Sequence, residues 1–180
     1  MVAGMDRVDL RPLAPADTAE LRRIRATPEV FRWWGELEDD FPEADEPEVT
    51  RYTVLVDGAV AGMVQTAEEE EPRYRHAGID VFLDPAVHGR GIGTEILRRV
   101  VDHLFRERGH HRITIDPAAS NAAAIRTYAK VGFKPVGIMR DYERDAGGDA
   151  WHDGLLMELL ARDADQRPSV RTSSRALPRR

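Results

Sequence analysis

The segment GIDVFL places an aspartate in the middle of a predicted strand. Side chains alternate along a strand, so Asp80 and Phe82 lie on one face and the three aliphatic residues on the other. Aspartate is disfavoured inside strands, so this position requires a structural or a functional reason. A carboxylate held there can act as a general base, and we predict that role for Asp80. An ion pair with a nearby arginine is the structural alternative.

Directly after this strand, the segment VFLDPAVHGRGIGTEIL combines a turn with glycines that open an amphipathic helix. Glycines allow close approach of a ligand to the backbone, and a helix N-terminus offers N–H groups to an anion. The dinucleotide fingerprint does not fit, because Thr94 stands where its third glycine is required, and no Gly-Lys-Ser/Thr of a P-loop follows. The turn therefore predicts a phosphate or pyrophosphate site, with a ligand-free glycine-rich helix start as the alternative.

A second motif, SNAAAIRTYAKVGF, follows about thirty residues later. Asn121 stands at the start of a predicted helix, where an N-cap is its structural alternative to ligand binding. Tyr128 lies on that helix, where a packed core aromatic is the structural alternative to a functional role. Gly132 is predicted as the helix C-cap.

Two adjacent tryptophans, Trp33 and Trp34, run into an acidic stretch in FRWWGELEDDFPEADEPE. Carboxylates make up eight of the thirteen residues from Glu36 to Glu48. The stretch is either a solvated loop or the mouth of a site for a polycationic substrate. A second run, residues 68–71 (EEEE), is predicted to be a solvated loop. The adjacent histidines 110–111 lack a companion carboxylate at ligand spacing, so we expect no metal.

The elements around these residues predict one mixed α/β domain over residues 1–162. Strands alternate with helices, including Asp17–Arg25 with a capping box to Glu20, about 93–108, and about 121–130. Asp57-Gly58 predicts a hairpin turn. The segment 163–180 is predicted to be a disordered arginine-rich tail.

Charge and composition restrict the possible partners and compartment. Residues 1–162 hold 21 basic and 30 acidic residues, a net charge of −9 against −6 for the whole chain. This balance argues against nucleic acid and is compatible with a cationic partner. The chain has no cysteine and no long apolar run, so we expect a cytoplasmic protein that does not bind a membrane.

Between Gly78 and Phe133 the sequence resembles the GNAT superfamily of acetyl-CoA-dependent N-acetyltransferases. HGRGIG is similar to the acyl-CoA loop of that family, with histidine in place of the usual Arg or Gln, and SNAAAIRTYAKVGF is similar to its second signature. The resemblance implies a mixed, mostly antiparallel sheet of six to seven strands, splayed between the fourth and fifth and flanked by about four helices. It also implies that acetyl-CoA is bound by Val81, Phe82, Leu83, His88, Gly89, Arg90, Gly91, Ile92, Gly93, Thr94 and Asn121, and that Tyr128 protonates the departing thiolate.

Three segments, RWWGE, GID and IDPAASNAAAIRTYAKVGF, further resemble aminoglycoside 6′-N-acetyltransferases. That resemblance implies antibiotic resistance by direct acetyl transfer to the 6′-amine, with Asp80 beside this amine. The remaining acceptor contacts would be made by Trp33, Trp34, Glu36, Glu38 and Asp116. The sequence leaves open a different amine (a polyamine, a protein N-terminus or a metabolite) and a non-catalytic acetyl-CoA-binding module. A monomer and a homodimer are both compatible with it. The carboxylates of residues 141–153 are candidates to line the acceptor cleft, but the sequence leaves their position and role open; they are Asp141, Glu143, Asp149 and Asp153.

Overall fold

A computed structural model describes residues 7–43 and 45–164, in which seven strands form one sheet. In chain order they are β1 (Val8–Pro12), β2 (Val49–Val56), β3 (Ala59–Glu69), β4 (His76–Leu83), β5 (Arg112–Ile115), β6 (Lys134–Arg144) and β7 (Trp151–Leu160). Their order across the sheet is β1-β2-β3-β4-β5-β7-β6, and every pair is antiparallel except β4–β5. The predicted mixed, mostly antiparallel sheet is confirmed.

The parallel pair β4–β5 separates soon after it forms. Only Ala77 with Ile113 and Gly78 with Thr114 are paired, although β4 continues to Leu83. Its other edge stays paired with β3 along the whole strand, through to Gly62 opposite Leu83. The predicted splay between the fourth and fifth strands is therefore present. The opening beyond Gly78, between β4 and β5, is called the strand gap below.

Within the described part of the chain, four helices of seven or more residues flank the sheet, and a single helical turn follows β7. They are α1 (Thr18–Arg25), α2 (Pro28–Trp34), α3 (Ile92–Arg106), α4 (Ala122–Val131) and α5 (Ala161–Ala164). Pro28 occupies the first turn of α2, where its missing N–H costs no hydrogen bond. The helices predicted over about 93–108 and 121–130 are confirmed as α3 and α4, with ends shifted by one or two residues.

Two hydrophobic clusters cover the two faces of the sheet. The apolar side of α3 packs with Ile79 of β4 in the larger cluster, whereas α1 and Phe41 pack with Phe82 in the smaller one. Ile79 and Phe82 therefore point to opposite faces, and the alternation predicted for GIDVFL is confirmed. Asp80 directly follows Ile79 and is two residues before Phe82, so its side chain lies on the Phe82 face.

The hairpin turn between β2 and β3 is the one predicted. Asp57 and Gly58 both have positive φ, 51° and 86°, as a two-residue hairpin turn of type I′ requires. This geometry matches the right-handed twist of the flanking strands. The turn therefore fixes how β2 and β3 come together.

The capping box predicted at Asp17 is wrong. Its carboxylate accepts two 2.6 Å bonds from Arg11 of β1, one from the Thr53 hydroxyl of β2 at 2.6 Å, and one from the Ala14 N–H. No side-chain cap bond is formed at the start of α1. Tertiary partners outside the helix therefore take the carboxylate, and they tie α1 to the sheet.

The loop predicted for residues 68–71 is wrong at its first two residues, because β3 extends to Glu69, and the predicted solvation is wrong at Glu68. Glu68 belongs to β3, and its half-buried side chain lies 2.6 Å from Nε2 of the buried His110 and 3.0 Å from Arg108. Burial alone would raise the pKa of Glu68, but the hydrogen bonds from His110 and Arg108 outweigh it and hold that pKa below its usual value. The remaining three glutamates are exposed.

The predicted tail 163–180 lies outside the described residues except for Asp163 and Ala164, which end α5. No helix within the described ranges is long and apolar enough to cross a membrane.

Candidate active site

Three polar side chains from three elements meet at the strand gap. Asp80 lies on β4 two residues beyond its last pairing with β5, Asp116 directly follows β5, and Tyr128 lies on α4. The charges of Asp80 and Asp116 both act on Tyr128, and that of Asp116 acts on Asp80. The splay thus brings together residues that are far apart in the sequence.

Asp80 is partly buried and has one polar partner. Nε2 of Gln65, the residue opposite it on β3, donates to Oδ2 at 3.1 Å. Burial raises the pKa of Asp80, and the charges of Asp116 and Glu143 raise it further, while the Gln65 hydrogen bond opposes them. Among the described residues no basic side chain pairs with Asp80, so the arginine ion pair considered from the sequence is not found. A carboxylate with a raised pKa is better matched to proton transfer near neutral pH.

Tyr128 is 8% exposed and packs edge-on against Phe133 at 6.3 Å between ring centroids. Burial raises the pKa of Tyr128, and the negative charges of Asp80 and Asp116 add to the effect. The phenol therefore stays protonated and available as a proton donor. Within the described part of the chain its hydroxyl forms no hydrogen bond, so its donor is free for a ligand atom.

The glycine-rich turn leads from β4 into α3. Gly89 and Gly91 have φ of 74° and 81°, and Gly91 is the N-cap of α3. A Cβ added at either position would meet no other residue's atoms within 4 Å, so glycine is needed there for conformation rather than for room. The first turn of a helix has N–H groups without intrahelical acceptors, and here they belong to residues 92–94. This turn can hold an anion such as pyrophosphate.

Other residues predicted to hold acetyl-CoA lie just before α3, at the start of α4 and on β4. His88 Nε2 lies 3.0 Å from the carbonyl oxygen of Leu83, so this side chain folds back on the end of β4. Asn121 Oδ1 accepts the Ala124 N–H at 3.1 Å, which makes it the N-cap of α4. The edge of β4 on the β5 side faces the strand gap at residues 81–83. It has no strand partner there among the described residues.

The two tryptophans take different positions at the end of α2. Trp34 packs edge-on against Phe82 at 5.0 Å, and the guanidinium of Arg25 lies 4.9 Å from the Trp34 ring. Arg25 is 2% exposed and donates to the carbonyl oxygens of Trp34 and Glu36. Trp34 therefore joins the Asp80 face of β4 through Phe82. Trp33 instead packs against Arg32, with 4.6 Å from its ring centroid to the guanidinium.

The carboxylates that follow the tryptophans are exposed. Glu36 contributes its backbone carbonyl to Arg25, and its side chain points to solvent. Glu38 has its carboxylate 3.6 Å from Nη2 of Arg25, with 63% of the side chain exposed. Further along, Glu43 accepts a hydrogen bond from Thr18. A buried arginine thus organises the start of the acidic stretch.

Two residues of β6 reach the strand gap: Tyr142, which sequence reasoning missed, and Glu143, whose position the sequence left open. The Tyr142 hydroxyl donates to Asp116 Oδ2 at 2.5 Å, and this bond raises the pKa of Tyr142 to about 12. The charge of Glu143 acts on both Asp80 and Tyr142. Their approach depends on an irregularity in strand pairing that no sequence pattern indicates.

The two histidines of the pair lie in different surroundings. His110 is buried against Glu68, and His111 is exposed. Over residues 7–43 and 45–164, no three histidine, aspartate or glutamate side chains are grouped to hold a metal ion.

Comparisons with known proteins agree with this geometry. The profile of the acetyltransferase (GNAT) family matches residues 10–133. An aminoglycoside N(6′)-acetyltransferase type 1 from Klebsiella pneumoniae is 32% identical over 157 residues, which span 74% of this chain and 77% of that protein. Among solved structures, RimJ from Mycobacterium smegmatis in complex with CoA-disulfide gives a TM-score of 0.77 at 25% identity, covering 91% of this chain and 88% of RimJ.

The aminoglycoside acetyltransferase AAC(6′)-Ib, solved with paromomycin and acetyl-CoA, gives a TM-score of 0.74 at 26% identity. The superposition covers 94% of this chain and 100% of that protein. Motifs, fold and relatives thus point to one family. The chain therefore belongs to the acetyltransferase (GNAT) family and is an N-acetyltransferase.

Proposed function

We propose that this enzyme transfers an acetyl group from acetyl-CoA to a primary amine of a polycationic small molecule, with the 6′-amine of an aminoglycoside as the acceptor. The observation that carries the proposal is the meeting of Asp80, Asp116 and Tyr128 at the strand gap. It supplies a base, an anionic contact and an acid at one place. The 32% identity to an aminoglycoside N(6′)-acetyltransferase supports the choice of acceptor.

The donor site consists mainly of backbone groups. Acetyl-CoA supplies the acetyl group as a thioester when it is bound. The N–H groups at the start of α3, after Gly89 and Gly91, would hold its pyrophosphate, and the free edge of β4 at Val81 and Leu83 would hold the amides of its pantetheine arm. His88 replaces the usual Arg or Gln but leaves this backbone arrangement intact.

Asp80 is the general base in this proposal. An amine attacks a carbonyl carbon only as the neutral species, so the ammonium group must lose a proton before or during attack. Asp80 accepts that proton. Because its pKa is raised, the difference from the pKa of the ammonium group is smaller, and the proton transfer is less unfavourable. Gln65 holds the carboxylate through Oδ2, which leaves Oδ1 for the proton.

Tyr128 is the general acid. When the bond from the carbonyl carbon to sulfur breaks, the electron pair leaves with the sulfur, and the Tyr128 hydroxyl donates a proton to it. The nitrogen, now bonded to the acetyl carbon, gives up its second proton, which restores the Tyr128 hydroxyl, and the proton on Asp80 passes to solvent. Burial keeps this phenol protonated. The chain contains no cysteine for a thioester intermediate on the enzyme, so we propose direct transfer with both substrates bound.

The acceptor side is acidic and partly aromatic. Asp80 and Asp116 lie at the reacting end, and Trp34 continues the same face through Phe82. Two unit charges 4 Å apart interact by about 1 kcal/mol in water and about 4 kcal/mol at an effective dielectric of 20. Converging carboxylates therefore favour an acceptor with several ammonium groups over one with a single charge.

A panel of acceptors tests the proposal by release of thiol from acetyl-CoA. It contains two aminoglycosides that differ only in an amine or a hydroxyl at the 6′ position, together with spermidine and a peptide with a free N-terminus. We expect turnover of the 6′-amine compound and little of its hydroxyl counterpart. Turnover confined to the peptide, or equal turnover of both aminoglycosides, would refute the 6′-amine as acceptor.

A pair of variants tests the residue assignment in the same assay. Asp80→Asn should abolish most turnover, whereas Asp102→Asn, which removes one exposed carboxylate on α3, should retain it.

A further inference from the structure

An irregularity in β6 determines which side chains reach the strand gap from that strand. Pairing with β7 passes from Met139 opposite Gly154 to Glu143 opposite His152, so β6 advances four residues while β7 advances two. At the centre of this bulge Asp141 has φ of 47°, and its N–H donates to Asp153 Oδ1 at 3.0 Å. Bulges redirect side chains and are frequent beside active sites.

The bulge places the ring of Tyr142 in contact with Gly154 of β7. A Cβ added to Gly154 would lie 2.7 Å from Cδ1 of Tyr142, so only glycine leaves room for the ring. Gly154 also forms a bridge to Ala118, two residues after Asp116. The ring is thereby held beside the Asp116 segment, and its hydroxyl donates to the Asp116 carboxylate.

The adjacent Glu143 lies beside a histidine. His152 of β7 has Nε2 3.4 Å from Glu143 and Nδ1 2.9 Å from Asp145. The negative charge of Glu143 acts on Asp80 and on Tyr142. Tyr142 and Glu143 therefore bring a hydrogen-bond donor and a third carboxylate to the site from one bulge.

We propose that Tyr142 is a positioning residue that holds the Asp116 carboxylate in the orientation needed to bind an ammonium group. The enzyme thereby selects acceptors that carry a second ammonium group beside the amine that is acetylated. This proposal rests on the proposed function for the assignment of Asp80 to the reacting amine. Its substrate class, amines with at least two positive charges, is broader than the aminoglycosides.

Charge balance gives the reason for a second ammonium group. Asp80 takes a proton from the reacting nitrogen, which becomes neutral as it attacks. Among the described residues, the partner of the Asp116 carboxylate is the Tyr142 hydroxyl rather than a basic side chain, so a second ammonium group of the acceptor would supply the cationic partner. Tyr128 is 8% exposed, and its hydroxyl has no hydrogen-bond partner within residues 7–43 and 45–164, which leaves its donor available to a ligand atom at the same place.

Two ligand pairs separate this role from a structural one. Spermidine and neamine carry several ammonium groups, whereas n-butylamine and 6-amino-6-deoxyglucose carry one. Their binding to the enzyme–CoA complex is measured by calorimetry, and kcat and KM by thiol release. In the unsubstituted enzyme we expect both multiply charged ligands to bind at least tenfold more tightly than their singly charged counterparts.

Tyr142→Phe keeps the ring over Gly154 and removes the bond to Asp116. We expect about a tenfold weaker binding and higher KM for the multiply charged amines, less than a twofold change for the singly charged ones, and an unchanged kcat. Tyr74→Phe, at a tyrosine 69% exposed between β3 and β4, is the matched control and should change neither. An equal loss for both ligand classes, or no loss, would overturn the proposal.

Gly154→Ala supplies a second test through the same ring. The added methyl group should displace Tyr142 and reproduce the effect of Tyr142→Phe, and the two changes together should be no worse than either alone. Additive losses would contradict the proposal. If aminoglycosides are not acetylated but spermidine binding still depends on Tyr142, the proposed acceptor fails and this inference stands; if multiply charged amines have no advantage in the unsubstituted enzyme, this inference fails.

Discussion

Replacing Asp80 by asparagine separates the catalytic role of this residue from any contribution to folding. The substitution preserves side-chain volume and can keep the hydrogen bond from Gln65, because an asparagine oxygen accepts from Nε2 as a carboxylate does. It removes one negative charge from a partly buried position near Asp116 and Glu143. The structure therefore predicts that the substitution lowers activity but raises stability.

The loss of activity follows from the loss of a general base. Such a base contributes about 10²–10⁴-fold to rate, so kcat should fall by that factor, equivalent to about 3–5 kcal/mol in activation free energy. Stability at pH 7 should rise. The folded-state pKa of Asp80 is raised, so its ionisation costs stability above that pKa, and the cost disappears as the pH falls below the unfolded value.

The role of Asp80 as base also predicts how activity changes with pH. Asp80 must be ionised to accept a proton, so kcat/KM should fall as the pH decreases through its raised pKa. Glu143 contributes to that elevation, and Glu143→Gln should therefore move the acidic limb of the profile to lower pH. Asp102→Asn on α3 should leave the limb in place.

Thiol release at saturating acceptor and thermal melting at pH 7 measure the two effects. The expected result is a variant that melts higher than the unsubstituted enzyme and turns over at least a hundredfold more slowly. An unchanged kcat would remove Asp80 as the base. A lower melting temperature would refute the role assigned to burial and like charge.

Three other substitutions have separate expected outcomes. Tyr128→Phe should lower kcat about 10²-fold and leave the melting temperature unchanged, because the ring still packs against Phe133; equal kcat would refute its role as acid. Gly91→Ala should cost about 1 kcal/mol in a chemical unfolding experiment and raise KM for acetyl-CoA alone, because its φ is 81° in open space. Asp17→Ala should lower the free energy of unfolding by about 2 kcal/mol, since it leaves the buried Thr53 hydroxyl without its acceptor. The folded-state pKa of Asp17 is lowered, so the difference in stability between the two proteins should shrink as the pH falls through that pKa.

Local patterns in the sequence were enough to predict the elements that position the site. The alternation in GIDVFL gave the face of Asp80, and Asp57-Gly58 gave the hairpin, because both depend on residues adjacent in the chain. The two signatures, in the right order, were enough for the family. These features are confirmed by the strands, the turn and the splayed sheet.

Partners from distant parts of the chain account for what the sequence did not reveal. Asp17 looked like a helix cap, but Arg11 and Thr53 from two strands bind it more completely than its own helix could. Glu68 looked solvated because its neighbours are acidic, although the fold places it against His110. Tyr142 reaches Asp116 only through the bulge, whose two extra residues have no periodic signature.

The most direct test of the proposed function is the position of the acetyl group in the product. The enzyme is incubated with acetyl-CoA and an aminoglycoside that carries several primary amines, and the purified product is analysed by mass spectrometry and NMR. We predict one added acetyl group per molecule, attached to the 6′ nitrogen. Acetylation at another nitrogen, or recovery of the aminoglycoside unchanged while thiol release proceeds with a different amine, would contradict it.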